Sequence, residues 1–241
     1  MMNTHFSRKQ VPLKYLATIS IVLLATGFIL ASIFLPNLRP QVFSGPYGHL
    51  LNHQVIMVSL ALLVVLVIRV LFGISTLDFL SLTRWDGPIV PVPWLGIRPN
   101  AKETWRHLGR QMALTITLVT GLVIYFQVAQ EAPIRLRPDM WVILLLAATN
   151  AFSEEVIYRF SFVSAGSSLH LPAQVSELTS ALIFGLAHYF GNPGGVPGVL
   201  MAGFIGWFLA KSMNETKGFF WAFVIHFVQD VVIFYALSLW L

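Results

Sequence analysis

Three short stretches in the C-terminal half of this chain carry side chains capable of proton transfer at one recurring spacing. "NAFSEEVIYRF" holds Glu154, Glu155 and Arg159, "LIFGLAHYF" holds Phe184 and His188, and "VIHFVQDVV" holds His226 and Asp230. At ~3.6 residues per turn, residues four apart lie only about 40° apart around a helix, so Glu155 and Arg159, Phe184 and His188, and His226 and Asp230 are three same-face pairs. Peptide hydrolysis without a serine, threonine or cysteine nucleophile needs a water, a base to deprotonate it and donors for the developing oxyanion. Glu154 and His188 can together bind and activate such a water. Glu155 and Arg159 pair along their helix and read as bracing for Glu154, since an unpaired buried arginine is expensive.

The elements that position these groups are membrane helices. The 241-residue chain is 56% hydrophobic and 10% charged, with a mean hydropathy of +0.76, which leaves too little polar surface for a water-soluble domain. The net charge of +5 comes without a basic tract, and we read it as membrane orientation rather than nucleic-acid binding. There is no cysteine, which excludes thiol nucleophiles. Tyr15 to Leu35 is uncharged and close to the ~20 residues of a spanning helix, and we read it as a retained span rather than a cleaved signal peptide. Further spans follow at Val55 to Phe72, Met112 to Gln130, Trp141 to Val163, Glu177 to Phe190, Val196 to Met213 and Lys217 onward. The break between the fifth and sixth is "GNPGGVPG", whose glycines and prolines cannot continue a helix. Before the third span, Asn100 and Glu103 form a candidate capping box that predicts a short interfacial helix over "NAKETWRHLGR".

The expectation is therefore an all-α, polytopic membrane helix bundle of about seven transmembrane helices with a polar site in the C-terminal four. Residues 1–140 would supply three helices, a cytoplasmic loop and the interfacial helix, and residues 141–241 the catalytic region of one integral membrane domain. Twelve Lys and Arg fall on one side of this topology (Arg8, Lys9, Lys14, Arg69, Arg84, Arg98, Lys102, Arg106, Arg110, Arg159, Lys211 and Lys217) against three on the other (Arg39, Arg135 and Arg137), which places the N-terminus in the cytoplasm. We expect a multi-pass protein of a prokaryotic cell (plasma) membrane. A charge near the bilayer centre costs ~2.5 to 3.5 kcal/mol on insertion scales, so one without a task tends to be avoided. At ~1.5 Å per residue from the expected cytoplasmic boundaries, Glu154, His188 and His226 lie about 13, 10 and 13 Å deep, a common layer.

Glu154-Glu155-x-x-x-Arg159, then Phe184-x-x-x-His188, then His226-x-x-x-Asp230, each on its own helix and in that order, resembles the three-motif signature of the CPBP family. These are intramembrane proteases that include the CAAX-processing endopeptidases and bacterial relatives linked to bacteriocin maturation or self-immunity. The resemblance covers about Trp141 to Leu241 and departs at Asp230, where better-studied members have asparagine. It implies an intramembrane endopeptidase acting on a membrane-embedded or lipidated peptide, prenylated tails included, with membrane lipids and no nucleic acid as its surroundings. It implies Glu154 as general base with His188 as its partner, His226 as oxyanion donor or proton shuttle, Asp230 fixing the tautomer or position of His226, and Phe184, Glu155 and Arg159 as support.

The family has been described both as metalloprotease and as glutamate protease. The zinc motif H-E-x-x-H is absent from the sequence, yet Glu154, His188, His226 and Asp230 could close around zinc with one position left for water. Metal-independent chemistry is our preferred expectation, with no cofactor assigned. Two rival functions use the same residues. A proton-coupled transporter also buries carboxylates and histidines, and a catalytically silent adaptor or immunity protein could keep the fold. His49, His53, His107 and His170 read as loop or interfacial residues with structural roles, and His5 as part of the N-terminal tail.

Overall fold

A computed structural model describes residues 10–128, 139–191 and 193–239 of the chain. Arg8, Lys9, Arg135 and Arg137 of the charge argument, and His5, lie outside the described residues. Among those described, the long elements are helices: α1 (Gln10–Phe34), α2 (Gly48–Phe72), α3 (Trp105–Val128), α4 (Met140–Glu155), α5 (Ser161–Ser168), α6 (Ala173–Ala187), α7 (Gly195–Thr216) and α8 (Phe220–Ser238), with an irregular stretch carrying short 3-10 turns, residues 73–104, between α2 and α3. Among the described residues, six helical segments are long and apolar enough to cross a membrane, with α4 and α5 forming one of them over Met140–Ser168. The chain is a multi-pass membrane protein of all-α class. The segment expected as the fifth span is shorter: α6 has 15 residues and ends in a 3-10 turn, His188–Phe190, that carries the first histidine of the site.

Local chemistry explains several boundaries. Asp139 caps α4, its carboxylate accepting from the backbone N–H groups of Trp141 and Val142. The expected interfacial helix is not formed. Asn100 and Glu103 do interact, the Glu103 carboxylate accepting from the Asn100 N–H at 2.9 Å. The Asn100 side chain, however, accepts from Lys102 N–H instead of completing the box. The result is a turn, and α3 starts afterwards at Trp105. His49 and His53 lie in α2 and His107 in α3 rather than in loops.

Between α4 and α5 the helix widens to a π turn, Val156–Phe160, in which the Ser161 N–H reaches back five residues to Val156 O. Such turns leave carbonyls poorly served. Here hydroxyls serve them: Ser161 donates to Ile157 O and Ser164 to Phe160 O. The widened turn starts directly after Glu155, so it sets the directions in which Glu155 and Arg159 leave the helix.

The most extensive helix contact is between α6 and α7. It depends on small residues that let backbones approach without a hydrophobic driving force. A Cβ on Gly185 would sit 2.7 Å from Val199 O. α8 packs on α4 on one side and α3 on the other, α2 lies against α4, and α1 against α2 and α5. The three site residues do not lie equally far from their helix ends. Measured from the observed ends at ~1.5 Å per residue, Glu154 lies about 21 Å from Ser168, His188 about 22 Å from Ala173 and His226 only about 9 Å from Phe220. Counted along the chain, α5 and α6 extend further past the site than α8 does. The side chains nevertheless converge.

Candidate active site

Glu154 and Glu155 are adjacent but face different surroundings. Glu155 is fully buried, whereas the Glu154 side chain retains 16% exposure and lines a cavity of about 320 Å³. His188, His226, Asp230, Phe184 and Asn150 line the same cavity, which continues along apolar residues of α3, α7 and α8. All four expected catalytic residues thus share one space.

His226 on α8 is the hub. Its Nδ1 is 2.6 Å from Glu155 Oε1, and its Nε2 is 3.5 Å from Glu154 Oε2 and 3.6 Å from Asp230 Oδ1. An ionised carboxylate only accepts, so Nδ1 carries the proton and Nε2 is turned toward the cavity. The tautomer is therefore set by Glu155, through a cross-helix bond, rather than by Asp230. Asp230 holds a place beside Nε2, and its other oxygen accepts from Asn150 Nδ2 at 3.0 Å.

His188 is oriented by its own helix. Nδ1 lies 2.9 Å from Phe184 O. A carbonyl only accepts, so Nδ1 donates and Nε2 keeps its lone pair for the cavity. The Phe184–x–x–x–His188 spacing has a physical basis beyond the shared face, since residue 184 supplies both the carbonyl and a ring packed at 4.3 Å between centroids.

Phe184 and Arg159 complete the support. Arg159 Nη1 is 3.2 Å from Glu155 Oε1 and both side chains are fully buried. The guanidinium also lies 3.7 Å from the Phe184 ring centroid, a cation–π contact of the kind that strengthens when desolvated. Phe184 further meets His226 edge-on at 6.1 Å and Tyr158 at 5.1 Å. One ring therefore touches both histidines and the arginine. Tyr158 is hydrogen-bonded to Thr26 of α1 at 3.1 Å, which ties the N-terminal helices to the site.

Two contributors were not assigned from sequence. Asn150 lies one turn before Glu154, so its shared face was legible. Gln54, which donates to Asn150 Oδ1 at 3.3 Å, sits on α2 in a sequence context with no such signal.

As for metal, the Nε2 of each imidazole faces the cavity with Nδ1 held by an acceptor, which is how ligating histidines are oriented. Among the described residues, however, no three His, Asp or Glu side chains are placed to hold one ion. As arranged, these side chains do not form a coordination site.

A family model described as type II CAAX prenyl endopeptidase Rce1-like matches residues 136–232. The match spans all three motifs and bears out the resemblance to the CPBP family. No curated protein and no solved structure matches the chain.

Proposed function

We propose that this chain, a CAAX-type intramembrane endopeptidase by the family of its residues 136–232, hydrolyses a peptide bond of a membrane-associated or prenylated substrate with water activated by Glu154 and His188. The observation that carries the reading is the placement of Glu154 and the two cavity-facing imidazole Nε2 atoms around one partly apolar space inside a membrane bundle. The water donates one hydrogen bond to His188 Nε2, and Glu154 removes its other proton as the oxygen attacks the carbonyl carbon. The electron pair of the carbonyl moves onto its oxygen. Glu154 then returns the proton to the departing amide nitrogen as the C–N bond breaks.

His226 is the oxyanion donor in this reading. With Nδ1–H given to Glu155, Nε2 can donate only as the imidazolium, and Glu154, Glu155 and Asp230 balance that charge. An ionised Asp230 accepts and cannot itself stabilise an oxyanion, so its part is to hold His226. Arg159 and Phe184 fix Glu155 and both rings.

Cleavage of a membrane peptide by reconstituted protein tests the reading, with Glu154→Gln as the inactive comparison. Gradient-driven uptake by the same vesicles, or partner binding that survives Glu154→Gln without any cleavage, would instead favour the transporter or the adaptor. The orientation we propose keeps the loop after α2 in the cytoplasm. The chain has no cysteine, so single cysteines at exposed Thr83 and Ser44 report it cleanly. In intact cells an impermeant thiol reagent should label Ser44→Cys and spare Thr83→Cys; the reverse pattern overturns the orientation.

A further inference from the structure

A carboxylate at position 230 with two ways to turn is a poor support for His226, and the structure supplies what restricts it. Asp230 is buried to 3% exposure. Its Oδ1 lies near His226 Nε2 and its Oδ2 accepts from Asn150 Nδ2 at 3.0 Å. The Asn150 amide is thus turned with Nδ2 toward Asp230 and Oδ1 away from it. Oδ1 is in turn met by Gln54 Nε2 at 3.3 Å. Gln54 is 7% exposed, and its own Oε1 is buried without a partner among the described residues. A buried amide oxygen in that condition costs free energy that packing alone does not require. The three side chains come from α2, α4 and α8 and form a one-way chain of donors ending on Asp230.

We propose that Asn150, itself held by Gln54, is a positioning residue that fixes Asp230 against His226 and so sets the Nε2 face of that imidazole for turnover. This rests on the hydrolytic reading above. It adds α2, outside the region of the family match, to the apparatus that determines rate. A purely architectural role for Asn150 would tie α2 to α4 and nothing more.

The two roles separate in steady-state cleavage of a membrane peptide by reconstituted protein, measured on material that is monodisperse in detergent. Asn150→Ala is expected to lower kcat about 10- to 100-fold with KM little changed, the worth of a hydrogen bond to a charged group. Gln54→Ala is expected to lower kcat less, and to add nothing in the Asn150→Ala background, because it acts only through Asn150. Exchanging the two ends, Asn150→Asp with Asp230→Asn, re-forms an amide–carboxylate pair and is expected to recover activity over Asn150→Asp alone, in which two carboxylates meet. Should Asn150→Ala fail to fold, Gln54→Ala and the exchanged pair still decide the matter. Normal kcat in folded Asn150→Ala, additive losses with Gln54→Ala, or an exchanged pair no better than Asn150→Asp would each overturn the proposal. Glu154→Gln run alongside keeps the two ideas apart: if it is inactive while Asn150→Ala is normal, only the positioning chain falls, and if it is active the hydrolytic reading falls as well.

Discussion

Two clusters of buried charge among the described residues are finished differently. Near the C-terminal end of α7, Lys211 pairs with Glu215 on its own helix and also donates to Val90 O at 2.9 Å. The second oxygen of Glu215 accepts from Trp105 Nε1 at 2.8 Å and from Val90 N–H at 3.2 Å. Every charged atom there has a protein partner, and the cluster clasps the 88–97 loop onto the bundle. Around His226 the carboxylates and imidazoles are held on one side only. Glu154 and both Nε2 atoms keep unused capacity facing a cavity. A void of about 550 Å³ lies beside the clasp as well, against about 320 Å³ at the site, so a cavity alone does not mark the site. Unspent donors and acceptors on rigid supports do.

The comparison is sharpened first by effects on turnover. His188→Ala should lose about 10²- to 10⁴-fold in cleavage rate, the usual worth of a general-base unit, and adding Glu154→Gln should cost little more, because the two act on one water. Independent, multiplying losses would show that they do not share it.

The clasp should answer in stability instead. Lys211→Ala leaves the Glu215 charge without its cation in a site where the side chains are only 3% and 9% exposed, so thermal unfolding in detergent should report a loss of about 3 to 5 kcal/mol, as for other broken buried pairs. The kcat of the protein that remains folded should be close to wild type. A kcat collapse at unchanged stability would erase the distinction between the clusters.

How far the sequence carried these assignments depends on the range of the interaction. Pairs four apart on one helix were legible: Glu155 with Arg159, Phe184 with His188, and the shared face of His226 and Asp230 all appear in the structure. The same rule tempts one to pair Glu155 with Arg159 alone. Its shorter bond, to His226 Nδ1 at 2.6 Å, crosses from α4 to α8 and leaves no mark in spacing. Helix boundaries failed for a related reason. Asn100 and Glu103 fit a capping pattern, but the backbone next to them is drawn into a bridge with the loop, Pro88 to Thr104. The depth estimates then inherited the boundary errors.

A smaller effect is expected at Phe184. Replacing it by leucine keeps apolar volume but removes the ring under Arg159, worth about 0.5 to 2 kcal/mol, and loosens both histidines. Both folding yield and kcat should drop moderately. An unchanged kcat would mean the ring serves packing alone.

The smallest effect lies far from the site. The Asp86 carboxyl is held below its ordinary value of 3.8, first by a hydrogen bond from Thr104, with backbone bonds from Arg106 and Gly87 and the Arg106 charge assisting. A depressed carboxyl contributes stability above its unfolded value and loses it as pH falls through the folded one. Acidification below about pH 4 should therefore loosen the loop beside Trp85, read by its fluorescence, and Asp86→Asn should remove that transition while leaving cleavage at neutral pH intact.

The most direct test sets one carboxylate from each cluster side by side. Glu154→Gln and Glu215→Gln, each checked by detergent gel filtration, are assayed for cleavage of the same membrane peptide at equal amounts of folded protein. The account predicts that Glu154→Gln is inactive although folded, and that Glu215→Gln folds in lower yield but cleaves at nearly the wild-type rate per folded molecule. Cleavage by Glu154→Gln at close to the wild-type rate would contradict it.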